Sequence, residues 1–155
     1  MRRKLQAIDV LRERGKATVL LSAFAVFCAA GCGRDTIRPI DIFPEDMCAH
    51  CRMAISEKRC AAELIDKDGT AVKFDDIGCM VEYTKAHGRE SVAAFFLEDY
   101  EGGGWISAAE AFLVGAARIN TPMGGSTVAF KDRAKASVAA EKFGGEVKSF
   151  SAVVP

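Results

Sequence analysis

The sequence predicts an α+β fold: two β-β-α-β units related by internal duplication and packed as one small domain. Three observations lead there. Shifting the chain by 56 positions places Gly69 on Gly125, Val72 on Val128, Phe74 on Phe130, Asp76 on Asp132, Gly88 on Gly144 and Glu90 on Glu146. The matched residues share roles: turn glycine, strand valine and phenylalanine, helix cap, helix stop. Each unit is also too small to bury an adequate core alone, so the two must pack together.

The elements follow in chain order. Residues 1–31 read as a lipoprotein signal peptide: a basic start (Arg2, Arg3, Lys4, Arg12, Arg14, Lys16), an apolar run over 17–30, then Ala29-Ala30-Gly31-Cys32. The run suits a signal core and is too short to span a bilayer. Cleavage before Cys32 would expose that cysteine for lipid attachment, although the leucine usual at the place of Ala29 is absent. Cys28 would leave with the leader. Residues 32–44, polar and proline-containing, read as a tether.

The metal motif and the first unit occupy 45–100. That unit comprises a strand over Arg59–Asp66, the turn Asp66-Lys67-Asp68-Gly69, and a strand over Ala71–Phe74. A helix capped by Asp76 follows, from Ile77 to about His87 and stopped by Gly88, and then a strand over Ala93–Leu97. Tyr100 and Trp105 flank Glu101-Gly102-Gly103-Gly104, which reads as a flexible linker. The second unit occupies 105–155, with its helix over about Arg133–Phe143.

The zero net charge of the whole chain is misleading. The leader takes 6 of the 21 basic residues and 2 of the 21 acidic ones, leaving the mature part at −4. A mildly acidic chain excludes nucleic acid as the expected partner. No hydroxyl nucleophile beside a histidine and no phosphate-cradling glycine loop is present, so no enzyme is expected.

The densest chemistry is Met47-Cys48-Ala49-His50-Cys51-Arg52-Met53: two thiols, two thioethers and an imidazole. Thiolate and thioether are soft donors that suit copper(I), whereas zinc rarely accepts a thioether. A gap of two residues lets Cys48 and Cys51 point into one concavity, and Met53 reaches the same side of an extended segment. His50, between them, is a candidate nitrogen ligand. Met123 sits in Thr121-Pro122-Met123-Gly124-Gly125, a rigid entry and permissive exit that can present a side chain outward. The repeat acts as a filter. Asp76 has its counterpart in Asp132 and reads as a helix cap, whereas Cys79, Met80 and Met123 fall on Lys135, Ala136 and Lys67, so chemistry is expected at such unmatched positions.

These residues resemble the NosL family. The likeness is carried by Cys48-x-x-Cys51-x-Met53, Phe74-Asp75-Asp76-Ile77-Gly78-Cys79, Thr121-Pro122-Met123-Gly124 and Gly144-Gly145, over roughly residues 45–150. The resemblance implies a copper(I)-binding envelope lipoprotein, anchored to the membrane through lipid on Cys32 and facing the periplasm. It also implies delivery of copper to nitrous oxide reductase or its copper-site assembly proteins. Family residues associated with metal map onto Cys48, Cys51, Met53 and Met123. Arg52 stands where the family usually has glycine. Because arginine adopts a positive φ only at a cost, a different local turn is expected.

Two other readings of the cysteines stay open. Cys48, Cys51, Cys60 and Cys79 could form a structural zinc site. Cys48–Cys51 could instead be a disulfide stabilising an envelope binding module. Cys60 and Cys79 also suit buried core positions.

Overall fold

The computed structural model describes residues 36–154. Residues 1–31, read from sequence as a leader, and the lipidation candidate Cys32 lie outside the described residues. The fold is α+β, with two helices and two antiparallel sheets. Among the described residues no helix is long and apolar enough to cross a membrane.

The first sheet is built from β1 (Ala62–Asp66), β2 (Ala71–Phe74), β3 (Val92–Glu98) and β4 (Trp105–Ser107), in the order β2-β1-β3-β4. The second contains β5 (Phe112–Gly115), β6 (Thr127–Phe130) and β7 (Glu146–Ser149), in the order β6-β5-β7. In both sheets the earliest strand is flanked by the next two, with a helix between those two in the chain. Helix α1 (Ile77–His87) packs on β1 and β2, and α2 (Arg133–Phe143) packs on β5, β6 and β7.

Both helices begin and end where the local chemistry dictates. Asp76 Oδ1 accepts the Cys79 N–H at 2.8 Å, and Asp132 Oδ1 accepts the Ala134 N–H at 2.7 Å. A side-chain cap of this kind contributes about 1 kcal/mol. Gly88 and Gly144, with φ of 78° and 70°, close the two helices in the left-handed half of backbone space that glycine tolerates.

Strand alternation divides the core. Val114, Val128 and Phe130 face α2 and pack with Ala136, Ala139 and Ala140. Their neighbours Leu113 and Ala129 join the other core cluster, beside Leu64, Phe74, Met80 and Leu97. The larger cluster therefore draws on both sheets. A parallel bridge between Asp99 and Ala129 ties β3's end to β6.

Three local readings are corrected. Residues 101–104 are not a flexible linker. They form the turn of the β3–β4 hairpin, where Glu98 pairs with Trp105 and its Oε2 accepts the Gly104 N–H at 2.7 Å. Lys58–Cys60 is a 3-10 turn, so β1 starts at Ala62 rather than Arg59. Part of the segment read as a tether lies against the first sheet: the Ile40 N–H donates to Glu63 Oε1 at 2.9 Å, and Lys73 Nζ donates to the Asp41 carbonyl at 2.7 Å.

One difference between the two sheets bears on function. The β1–β2 connection is a tight turn over 67–70, whereas the β5–β6 connection runs over 116–126 and carries Met123. A loop of that length is free to reach away from its own hairpin.

Candidate metal centre

Residues 47–54 form a small hairpin closed by the Met47–Ala54 bridge and by the Cys48 N–H donating to the Met53 carbonyl at 2.8 Å. The Ala49 N–H donates to the Lys73 carbonyl at 2.9 Å and moors the hairpin to β2. At its tip the Arg52 N–H reaches back to the Cys48 carbonyl at 3.0 Å, and Arg52 takes φ of 63°. The turn at Arg52 is thus in the left-handed region that arginine enters only at a cost. The left-handed turn forms with arginine in it, at a cost of about 1–2 kcal/mol that glycine would not incur.

That turn folds Cys51 back towards Cys48, and α1 supplies a third thiol from its first turn. The sulfurs of Cys48, Cys51 and Cys79 all lie within 4.8 Å of one another. Cys48 and Cys79 are buried and Cys51 is half-buried. Cys79 is absent from the expected copper ligands Cys48, Cys51, Met53, Met123 and His50, and entered only the four-cysteine zinc reading and the unmatched positions of the repeat. Its signal was present: it stood unmatched in the repeat, three residues after a cap, where a first-turn side chain is held firmly.

The three thiols differ in acidity. Burial opposes ionisation of Cys48, but the backbone N–H groups of Asp75, Cys51 and His50 directed at its sulfur outweigh it, and the thiol is more acidic than usual. Cys51 is shifted up, first by burial and further by Cys48. Cys79 is shifted far up, again first by burial and then by the charges of Cys48 and Asp76. Cys48 is therefore the most readily ionised of the three, and a metal held by thiolates here would require protons to leave the others.

Cys60 takes no part in this cluster. It lies in the core beside Val114 and Phe130, and burial pushes its thiol up to about 11. A structural site using all four of Cys48, Cys51, Cys60 and Cys79 finds no support in this arrangement.

Beside the thiols opens a cleft of about 370 Å³, lined by His50, Cys79, Glu82, Met123, Gly124 and Gly125 among others. Cys79 thus belongs both to the thiol cluster and to the cleft wall. Met123, 43% exposed, comes from the second sheet's long loop; His50 is exposed at the cleft's edge. Met53 is 56% exposed and is not among the cleft-lining residues, and Met47 is likewise exposed.

Met123 is brought there by Asp76, which is fully buried. Its Oδ2 accepts the Thr121 hydroxyl at 2.8 Å, the Met123 N–H at 3.2 Å and the Gly125 N–H at 3.3 Å. The carboxylate therefore does more than cap α1, which is all the repeat with Asp132 suggested. His87 stacks on Tyr83 and bonds that residue's carbonyl at 2.9 Å, which is a structural role.

Fold and site together define a small α+β protein with a partly open, sulfur-lined site able to hold a soft metal ion. A family model matches residues 39–155, most of the chain, and its description is NosL. The chain belongs to the NosL family. A solved structure, the crystal structure of the copper chaperone NosL from Shewanella denitrificans, has the same fold. It superposes with a TM-score of 0.70 at 18% identity, covering 77% of this chain and 97% of that one. No curated protein matches in sequence.

Proposed function

We propose that this protein is a copper(I) chaperone of the cell envelope, not an enzyme, and that Cys48, Cys51, Cys79 and Met123 hold the ion it carries. The observation that carries this reading is the cluster of three sulfurs within 4.8 Å, opening onto a cleft that Met123 lines. Thiolates with a thioether suit copper(I) in low coordination. His50, which lines the same cleft, stands as a further donor; Met53, the remaining donor expected from the motif, does not line it. Membership of the NosL family and the likeness to a copper chaperone support the same cargo.

The cleft gives the reading a mechanism. A closed tetrathiolate site would hold its metal, whereas an open side admits a ligand from an acceptor. The acceptor's donor enters beside Met123, the thioether leaves first because it is neutral, and the thiolates follow in turn. No free ion is released. The acceptor is nitrous oxide reductase or the proteins that assemble its copper sites, and lipid on Cys32 anchors the chaperone on the periplasmic side of the membrane.

Anaerobic titration with copper(I) and with zinc(II), each against a chromophoric competing chelator, tests the cargo. One copper(I) per chain is expected, with weaker retention in Met123→Ala. Zinc(II) bound in preference, and indifferent to Met123→Ala, would reject copper. Mixing the loaded protein with copper-free nitrous oxide reductase tests the acceptor: transfer faster than spontaneous release is expected. Mass spectrometry of the Cys32 peptide tests the anchor.

A further inference from the structure

We infer that Asp76 is a positioning residue for the metal site: its buried carboxylate holds the thioether of Met123 over the thiols by clamping the Thr121–Gly125 turn to the first turn of α1. The inference rests on the copper reading above and goes beyond it, since Asp76 donates nothing to the metal.

The two oxygens of Asp76 divide the work. Oδ1 caps α1 through the Cys79 N–H, and so fixes the helix turn that bears the third thiol. Oδ2 takes three donors from the other sheet's loop, those of Thr121, Met123 and Gly125. Thr121 is itself braced, because its Oγ1 accepts the Ser126 N–H at 3.1 Å. One side chain therefore sets the distance between two donors that lie 44 positions apart in sequence, Cys79 and Met123. A fully buried carboxylate with four donors around it has a strong preference for one arrangement, because any rotation strands a donor. Among the described residues, Asp132, the corresponding cap of α2, accepts only from the Ala134 and Lys135 N–H groups of its own helix.

The asymmetry supplies selective variants. Asparagine caps helices as well as aspartate does. In Asp76→Asn the amide oxygen keeps the Cys79 N–H, and the NH₂ then faces three donors and repels the loop. Thr121→Val removes the hydroxyl that donates to Oδ2 and accepts from the Ser126 N–H, so it loosens the loop and leaves the cap untouched. Asp132→Ala removes a cap without touching the site.

Copper(I) affinity, measured by chelator competition, is read together with the Met123 methyl resonance in selectively labelled protein. Asp76→Asn and Thr121→Val are each expected to weaken copper(I) binding about tenfold and to shift or broaden the Met123 methyl signal before metal is added. In a Met123→Ala background, Asp76→Asn is expected to add less than about twofold, because the residue acts through Met123. Asp132→Ala is expected to lower the melting temperature and leave affinity unchanged. An Asp76→Asn protein that melts lower but binds copper(I) normally would overturn the inference, as would an equal loss with and without Met123. A parent protein that takes up no copper(I) at all would instead overturn the copper reading itself.

Discussion

Gly78 and Gly125 meet backbone to backbone. A Cβ built on either glycine would lie 3.0 Å from the other's Cα. This contact presses the first turn of α1 against the loop that carries Met123, next to the Asp76 clamp. Alanine in a helix is normally more stable than glycine by about 0.8–1.0 kcal/mol. Here the sign should reverse. Gly78→Ala and Gly125→Ala are each expected to lower stability by about 1–3 kcal/mol, because neither backbone can give way without moving the loop. Chemical denaturation checks this, and a stabilised Gly78→Ala would show that the close contact does not persist in solution.

Arg52 carries left-handed strain at the tip of the cysteine hairpin. Arg52→Gly should relieve it and raise stability by about 0.5–1 kcal/mol, the strain relief being partly offset by the freer unfolded chain. Copper(I) binding should be retained, since the turn that brings Cys51 to Cys48 is the same. Thermal melting with and without copper(I) separates the two effects.

Cys60 tests the division of the thiols. Cys60→Ala removes a buried sulfur from the second core cluster and is expected to destabilise the fold by about 1 kcal/mol. Metal stoichiometry and affinity should not change. A loss of metal in Cys60→Ala, measured by chelator competition, would return the four-cysteine site to consideration.

Glu63 supplies a pH signature. The side chain is fully buried, Oε1 accepts the Ile40 N–H, and Oε2 has no hydrogen-bond partner among the described residues. Burial raises its carboxyl above the ordinary 4.5, and the Ile40 bond and Lys73 only partly oppose this. The folded state therefore holds this proton to higher pH than the unfolded chain does. Its contribution is most favourable below the unfolded value and is lost as pH rises through the raised folded value. Glu63→Gln keeps an acceptor for Ile40 and cannot ionise, so the stability of Glu63→Gln relative to the parent should grow as pH rises across that window. Melting curves at a series of pH values check it; a difference independent of pH would contradict it.

Much of the fold was legible because local chemistry decides it. Asp76 and Gly88 mark the ends of α1, Asp132 and Gly144 those of α2, and the alternating Val128 and Phe130 mark a strand with one face on a helix. The hairpin turn at 101–104 was misread because three consecutive glycines carry the same signal in a linker and in a tight turn. What decides between them is the pairing of Glu98 with Trp105, a contact between strands.

The site was legible in its chemistry and less so in its geometry. Cys48, Cys51 and Met123 stood out by residue type. Cys79 stood out only as an unmatched position and in the four-cysteine reading, because a cysteine on a helix face equally looks like core until the helix is docked on the hairpin. Asp76 was obscured by its sequence match with Asp132: that match accounted for Oδ1 and said nothing about Oδ2, whose partners come from the long β5–β6 loop. Met53 shows the converse. Its spacing from Cys51 suggested a shared side, but the left-handed turn at Arg52 breaks the extended register on which that argument depended.

The most direct test is X-ray absorption at the copper edge on copper(I)-loaded protein, compared with Cys79→Ser and Met123→Ala. The account predicts a shell dominated by sulfur that loses a scatterer in each variant. A shell unchanged by Cys79→Ser would contradict it, because the third thiol, 4.8 Å or less from the other two, would then be a bystander in the core.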